Sequence, residues 1–135
     1  MHTDPGSKFT TAIRLACTDK RMRFACAAVA MLVVINLFYL GTKPFAVGLF
    51  VSPWDKLAHA VTFSILTMLL WFSTAGRMTI GIVVIVSICG ALDEWHQAFL
   101  PGRSADIEDW LMDFGSAAIT AAILSLYAKQ QTLFD

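Results

Sequence analysis

Four long apolar runs divide the chain: Met22–Gly41, Leu57–Ser73, Met78–Leu100 and Asp109–Ala128, with polar residues gathered at their ends. A helix of about 20 apolar residues spans the roughly 30 Å hydrocarbon core of a bilayer, and each run is near that length. None of them alternates with a period of two, and all are too long for the tilted strands of a barrel. The pattern therefore predicts four transmembrane helices. Short links, such as Ser73–Thr74–Ala75–Gly76–Arg77, make neighbouring helices antiparallel. Pro101–Gly102 marks the stop of the third run.

The expected fold is all-α, a four-helix membrane bundle over residues 22–135 with an amino-terminal segment, 1–21, ahead of it. In that segment Phe9, Ile13 and Cys17 recur at roughly helical spacing beside Lys8 and Arg14. This is the pattern of either a short helix lying on the membrane surface or a solvated tail. The first run exceeds the ~7–15-residue core of a signal peptide, and no small-x-small cleavage site follows it, so it reads as a retained anchor.

Composition strengthens the membrane assignment. Hydrophobic residues make up 57% of the 135 and charged residues only 15%; the mean hydropathy is +0.66. Such a chain is too apolar for an ordinary soluble domain. Zero formal net charge, with no basic stripe, leaves no footprint for nucleic acid. Cys17, Cys26 and Cys89 form no C-x-x-C pair and read as small hydrophobes rather than a disulfide or metal framework.

The charges also set an orientation. Lys8, Arg14, Lys20, Arg21, Arg23, Arg77 and Lys129 fall on one side of the expected membrane, and Lys43, Lys56 and Arg103 on the other. Seven against three places both termini in the cytoplasm. Acids show the opposite bias: Asp55, Asp93, Glu94, Asp106, Glu108, Asp109 and Asp113 all belong to the outer half. Asp55 and His59 are four apart, as are Asp109 and Asp113, and Glu94 and Gln97 are three apart, so each pair shares a helix face. Glu94 lies six residues before Leu100, about 9 Å into the helix at 1.5 Å per residue. An ionised carboxylate so placed costs about 2.5–3.5 kcal/mol unless it faces the bundle and finds a partner. Arg103, His59 and Lys56 are the available partners, and the helix dipole favours Asp109 and Asp113 near their amino terminus.

Three motifs follow from these positions: D-K-L-A-H at 55–59, E-W-H-Q-A-F-L-P-G-R at 94–103 and D-W-L-M-D at 109–113. In order and spacing they resemble the VanZ-like family of small bacterial membrane proteins, over about residues 50–120. The resemblance implies a multi-pass protein of the bacterial cytoplasmic membrane, in a family named for a protein associated with resistance to the glycopeptide teicoplanin. Phe63 stands where the family often has Tyr, Ser116 where a Gly is usual (with Gly115 one step earlier), and His96 is an addition inside the second motif.

The expected site comprises Asp55, Lys56, His59, Glu94, Gln97, Arg103, Asp109 and Asp113. It admits several uses. As a binding site, Arg103 would clamp a phosphate or carboxylate while Lys56 and His59 add positive charge. Glu94 and Asp109 would accept bonds from hydroxyl or amide groups of a lipid headgroup, a cell-wall precursor or a glycopeptide. As an enzyme, His59 or Glu94 would act as general base, with Arg103 stabilising developing charge and Asp109 nearby. As a structural network, the same groups would only fix helix register. H-E-x-x-H and similar pairs are absent, so neither metal nor cofactor is expected. The inner halves of the runs are apolar, which speaks against an ion path across the membrane. Asp93, Asp106 and Glu108 read as rim, and Trp54, Trp71, Trp95 and Trp110 as interfacial belts.

Overall fold

The computed structural model of the protein describes residues 17–43 and 53–133, with side chains to residue 130 in the last helix. The reading of residues 1–16 as a tail or surface helix lies outside them. Among the described residues four long helices make up the fold: α1, Lys20–Gly41; α2, Trp54–Ser73; α3, Thr79–Gln97; and α4, Ile107–Leu133. Each is long and apolar enough to cross a membrane, and no strand occurs among the described residues.

Helices consecutive in the chain run antiparallel, as contacts at the two ends of the bundle require, so α2 and α4 lie parallel. At one end Arg23 Nε donates to the Ser73 carbonyl at 2.9 Å, joining the start of α1 to the end of α2. Thr79 and Ser125 hydroxyls meet there at 3.2 Å. At the other end, the start of α2, the end of α3 and the start of α4 come together.

Helical periodicity explains what is inside. His59, Phe63, Thr67 and Trp71 lie four apart on α2; Ile82, Val86, Gly90, Glu94 and the adjoining Asp93 follow one face of α3; Asp109, Asp113, Ala117 and Ala121 do so on α4. Each inward stripe is apolar towards one end of the bundle and polar towards the other. Thr67 is buried within α2 but satisfies its hydroxyl on the Phe63 carbonyl at 2.7 Å. Large apolar side chains such as Ile80, Ile88, Ile119 and Leu126 point outward, as lipid-facing positions do.

Helix α2 packs most extensively on α4, α3 on α4 and α1 on α2, while α1 and α3 barely meet. Only Ala30 of α1 is fully buried. The loose flank between α1 and its neighbours leaves a cavity.

Small residues fix the closest approaches. A Cβ built on Gly90 would lie 2.6 Å from Asp113 Oδ2, so α3 nestles against that side chain only because Gly90 lacks one. Gly115 has nothing among the described residues within 4 Å of its would-be Cβ. It faces away from the α3–α4 contact because the buried face of α4 follows Asp109, Asp113 and Ala117.

The tryptophans divide. Trp54 and Trp95 are 63% and 64% exposed at helix ends, where an interfacial side chain belongs. Trp71 is 3% exposed and packs against the turn at Gly76, so it is core. Trp110 donates its indole N–H to the Ser87 carbonyl at 3.1 Å, tying α4 to α3. Helix α3 stops at Gln97, before the apolar run does, because the amides of Phe99 and Leu100 turn back to His96 and Gln97 ahead of Pro101. Cys17, Cys26 and Cys89 are free thiols and only half-buried.

Candidate functional site

All the polar residues expected to form a site lie at the end of the bundle where α2 and α4 begin and α3 ends. His59 is the hub. Its Nδ1 sits 2.9 Å from Asp113 Oδ1 and its Nε2 3.9 Å from Asp109 Oδ2. The i, i+4 spacing of the two aspartates aims both carboxylates at one imidazole. Phe63, one turn below, lays its ring parallel to His59 at a centroid distance of 6.2 Å, forming an apolar floor where a tyrosine would bring a hydroxyl.

Lys56, three residues before His59, serves the rim. Its ammonium lies 2.9 Å from Glu108, 3.4 Å from Asp109 and 3.5 Å from Asp106. It straps the start of α2 to the start of α4. Asp106 also accepts the Glu108 backbone N–H at 2.8 Å, the bond of a helix-capping aspartate. That N–H, together with Lys56, holds the Asp106 carboxyl below its usual range. Asp106 and Glu108 are therefore rim residues in exposure, but Lys56 engages both.

Asp93 departs from the expected rim. It is 2% exposed and accepts a hydrogen bond from Gln97 Nε2 at 2.9 Å. The signal was in the sequence, because Asp93 and Gln97 have the same i, i+4 spacing as Asp55 and His59. Glu94, at 6% exposure, accepts the Asp106 backbone N–H through Oε2 at 2.6 Å, pinning the α3–α4 link to the end of α3. Its other oxygen, Oε1, is buried without a hydrogen-bond partner among the described residues. The same is true of Asp113 Oδ2, over Gly90. His96 stands apart, its ring 5.5 Å from that of Phe38.

The remaining expected residues face a cavity of about 500 Å³ between α1, α2 and the end of α3. Asp55, His59, Asp93, Gln97 and Arg103 supply its polar walls; Val29, Leu32, Val33, Leu37 and Leu40 of α1 supply a mainly apolar one, with Asn36 among them. Arg103 is carried there by the turn after α3, where its amide donates to the Leu100 carbonyl at 3.1 Å. The site thus has two parts: a dense carboxylate–histidine cluster among α2, α3 and α4, and an amphipathic cavity opening beside it. His59 and Asp93 border both.

Chemically, the arrangement offers an imidazole oriented by a carboxylate, one guanidinium, and several carboxylates able to accept hydrogen bonds or hold a cation. Four carboxyl groups, Asp93, Glu94, Asp109 and Asp113, are buried, while Lys56 is engaged at the rim. His59 and Arg103 are the basic side chains that face the interior.

Comparison with known proteins agrees with this architecture. The family model described as VanZ/LLP1 matches residues 9–128 of the chain. No curated protein and no solved structure matches it.

Proposed function

The chain belongs to the VanZ/LLP1 family, and from that premise we propose that it binds an amphiphilic molecule of the cell envelope. The headgroup would be held between Arg103 and the acids of the cavity. One observation carries the reading: the 500 Å³ cavity has charged and polar groups at one wall and a mainly apolar strip of α1, interrupted by Asn36, at the other. A lipid, or a lipid-linked wall precursor, has that division in itself. Arg103 offers a planar fork for a phosphate or carboxylate. Asp55, Asp93 and Gln97 take hydroxyl, amide or ammonium groups, and the α1 strip lies along the chain.

The family suggests a place in the bacterial cytoplasmic membrane, and the distribution of lysine and arginine supports both termini inside, so that the site would open at the outer face. There it would meet lipid headgroups, cell-wall precursors and glycopeptides. Low-level tolerance of glycopeptide antibiotics would follow from altered access to such a molecule.

A second reading, catalysis at the headgroup, draws on the His59–Asp113 pair. A carboxylate at Nδ1 orients an imidazole whose Nε2, 3.9 Å from Asp109, would take a proton from a substrate. Binding and catalysis separate on product. Arg103→Lys and Glu94→Gln in membrane-inserted protein test both readings. Binding alone predicts an amphiphile that co-purifies with the native chain and is lost with Arg103→Lys. Catalysis predicts a changed lipid or wall product with Glu94→Gln. If neither variant alters antibiotic sensitivity, lipid profile or co-purifying material, the polar groups serve helix packing only.

A further inference from the structure

We propose that His59, Asp93 and Glu94 form a site for one divalent transition-metal ion, of the zinc or manganese kind. Each residue brings a ligand atom, and the three atoms lie within 4.8 Å of one another in the interior. A bound ion at 2.0–2.2 Å from each would set the ligand atoms about 3.3–3.6 Å apart, so the three side chains would draw in by up to about 1.5 Å. The mixed imidazole and carboxylate set suits a transition metal better than magnesium or calcium, which prefer oxygen alone.

A buried acidic cluster by itself does not make a metal site; the independent pointer is Glu94 Oε1. It belongs to a side chain more than nine-tenths buried, and it has no hydrogen-bond partner among the described residues, although its sister oxygen accepts the Asp106 amide. An unpaired carboxylate oxygen in a low-dielectric interior is costly, and a cation is the partner that relieves it most fully.

The surroundings are those of a metal site. His59 is oriented by Asp113 at Nδ1, which leaves Nε2 to carry the lone pair, the arrangement that a carboxylate bonded to the far ring nitrogen imposes on metal-bound histidines. Gln97 orients Asp93, and the Asp106 amide orients Glu94. Three ligands from two helices are thus each fixed by a separate neighbour. The spacing H-x-x-x-H is missing because the ligands converge from α2 and α3 rather than from one helix. The ion would also bring positive charge to the cavity edge, next to Arg103. The site stands independently of what fills the cavity.

The test uses the full chain, stripped with a chelator and held in detergent or nanodiscs without added lipid. Zinc and manganese are titrated against a magnesium background. Uptake of a single ion per chain is expected. His59→Ala, Asp93→Asn and Glu94→Gln should abolish it, Asp113→Asn should weaken it about 10–100-fold, and Thr79→Ala at the far end of the bundle should leave it unchanged. Should the ligand variants fail to fold, nitrogen hyperfine coupling from an imidazole to Mn²⁺ in the native chain decides the matter. No uptake by the native chain, uptake indifferent to the folded variants, or manganese without imidazole coupling overturns the site. Because no amphiphile is present, metal binding and amphiphile binding succeed or fail separately.

Discussion

Gly90 and Asp113 show how one absent methyl group shapes the site. With Asp113 fixed by His59 and its Oδ2 pressed towards Gly90, there is no slack for a side chain between α3 and α4. Gly90→Ala should destabilise the protein by about 1–3 kcal/mol, the usual effect of overpacking, measured as thermal unfolding in detergent. It should also displace the Asp113 carboxylate from His59. Asp106 gives a pH signature. Its folded pKa lies below the ordinary 3.8, chiefly because it accepts the Glu108 amide and secondarily through Lys56. The cap therefore contributes in full above the ordinary value and is lost as pH falls through the lower, folded one. Hydrogen exchange at the Glu108 amide should keep its protection down to pH 3.8 and lose it only below that; loss at higher pH would contradict the assignment. At this scale much was legible. The spacings of Asp55/His59 and Asp109/Asp113 select residues that the fold places at one end. Asp93 reads as rim because it lies just outside the motif that starts at Glu94; in the fold both fall within one broad inward face.

The turn after α2 shows what element-level patterns leave hidden. Gly76 donates its amide to the Trp71 carbonyl and Ala75 to that of Phe72, the double bond of a Schellman cap. Ala75 occupies the left-handed position at φ 54°, where glycine is usual, and Gly76 follows at φ 70°. Ala75→Gly should therefore stabilise the protein by about 0.5–1 kcal/mol, the left-handed strain relieved less the added chain entropy. Gly76→Ala should destabilise it, since its Cβ would meet the Trp71 ring at 2.6 Å. Both are read as shifts in the unfolding midpoint. The sequence showed that a tight turn stands here, but not that it seats on Trp71. An apolar run announces a helix without saying which of its side chains face protein and which face lipid, so the burial of Trp71 was beyond it. The same ambiguity hid the end of α3, where apolar residues continue through Leu100 after the helix has stopped at Gln97.

For the whole molecule, the four-helix architecture was legible because length and hydropathy alone impose it on a bilayer. The convergence of polar groups at one end followed from antiparallel order. The cavity did not follow, since α1 is apolar nearly throughout and nothing in its pattern distinguishes a cavity wall from a packed face. Topology is checked by single cysteines in a chain with Cys17, Cys26 and Cys89 replaced by Ala. With the termini inside, a membrane-impermeant thiol reagent applied to intact cells should label Ser104→Cys and spare Met78→Cys; the reverse pattern would turn the site towards the cytoplasm. The central claim is that the cavity beside α1 holds an envelope amphiphile. Native mass spectrometry of protein released from its own membrane, comparing the native chain with Val33→Trp, tests it most directly. A retained amphiphile on the native chain that is absent from the folded Val33→Trp variant is the expected result; equal retention by both, or none by the native chain, would contradict it.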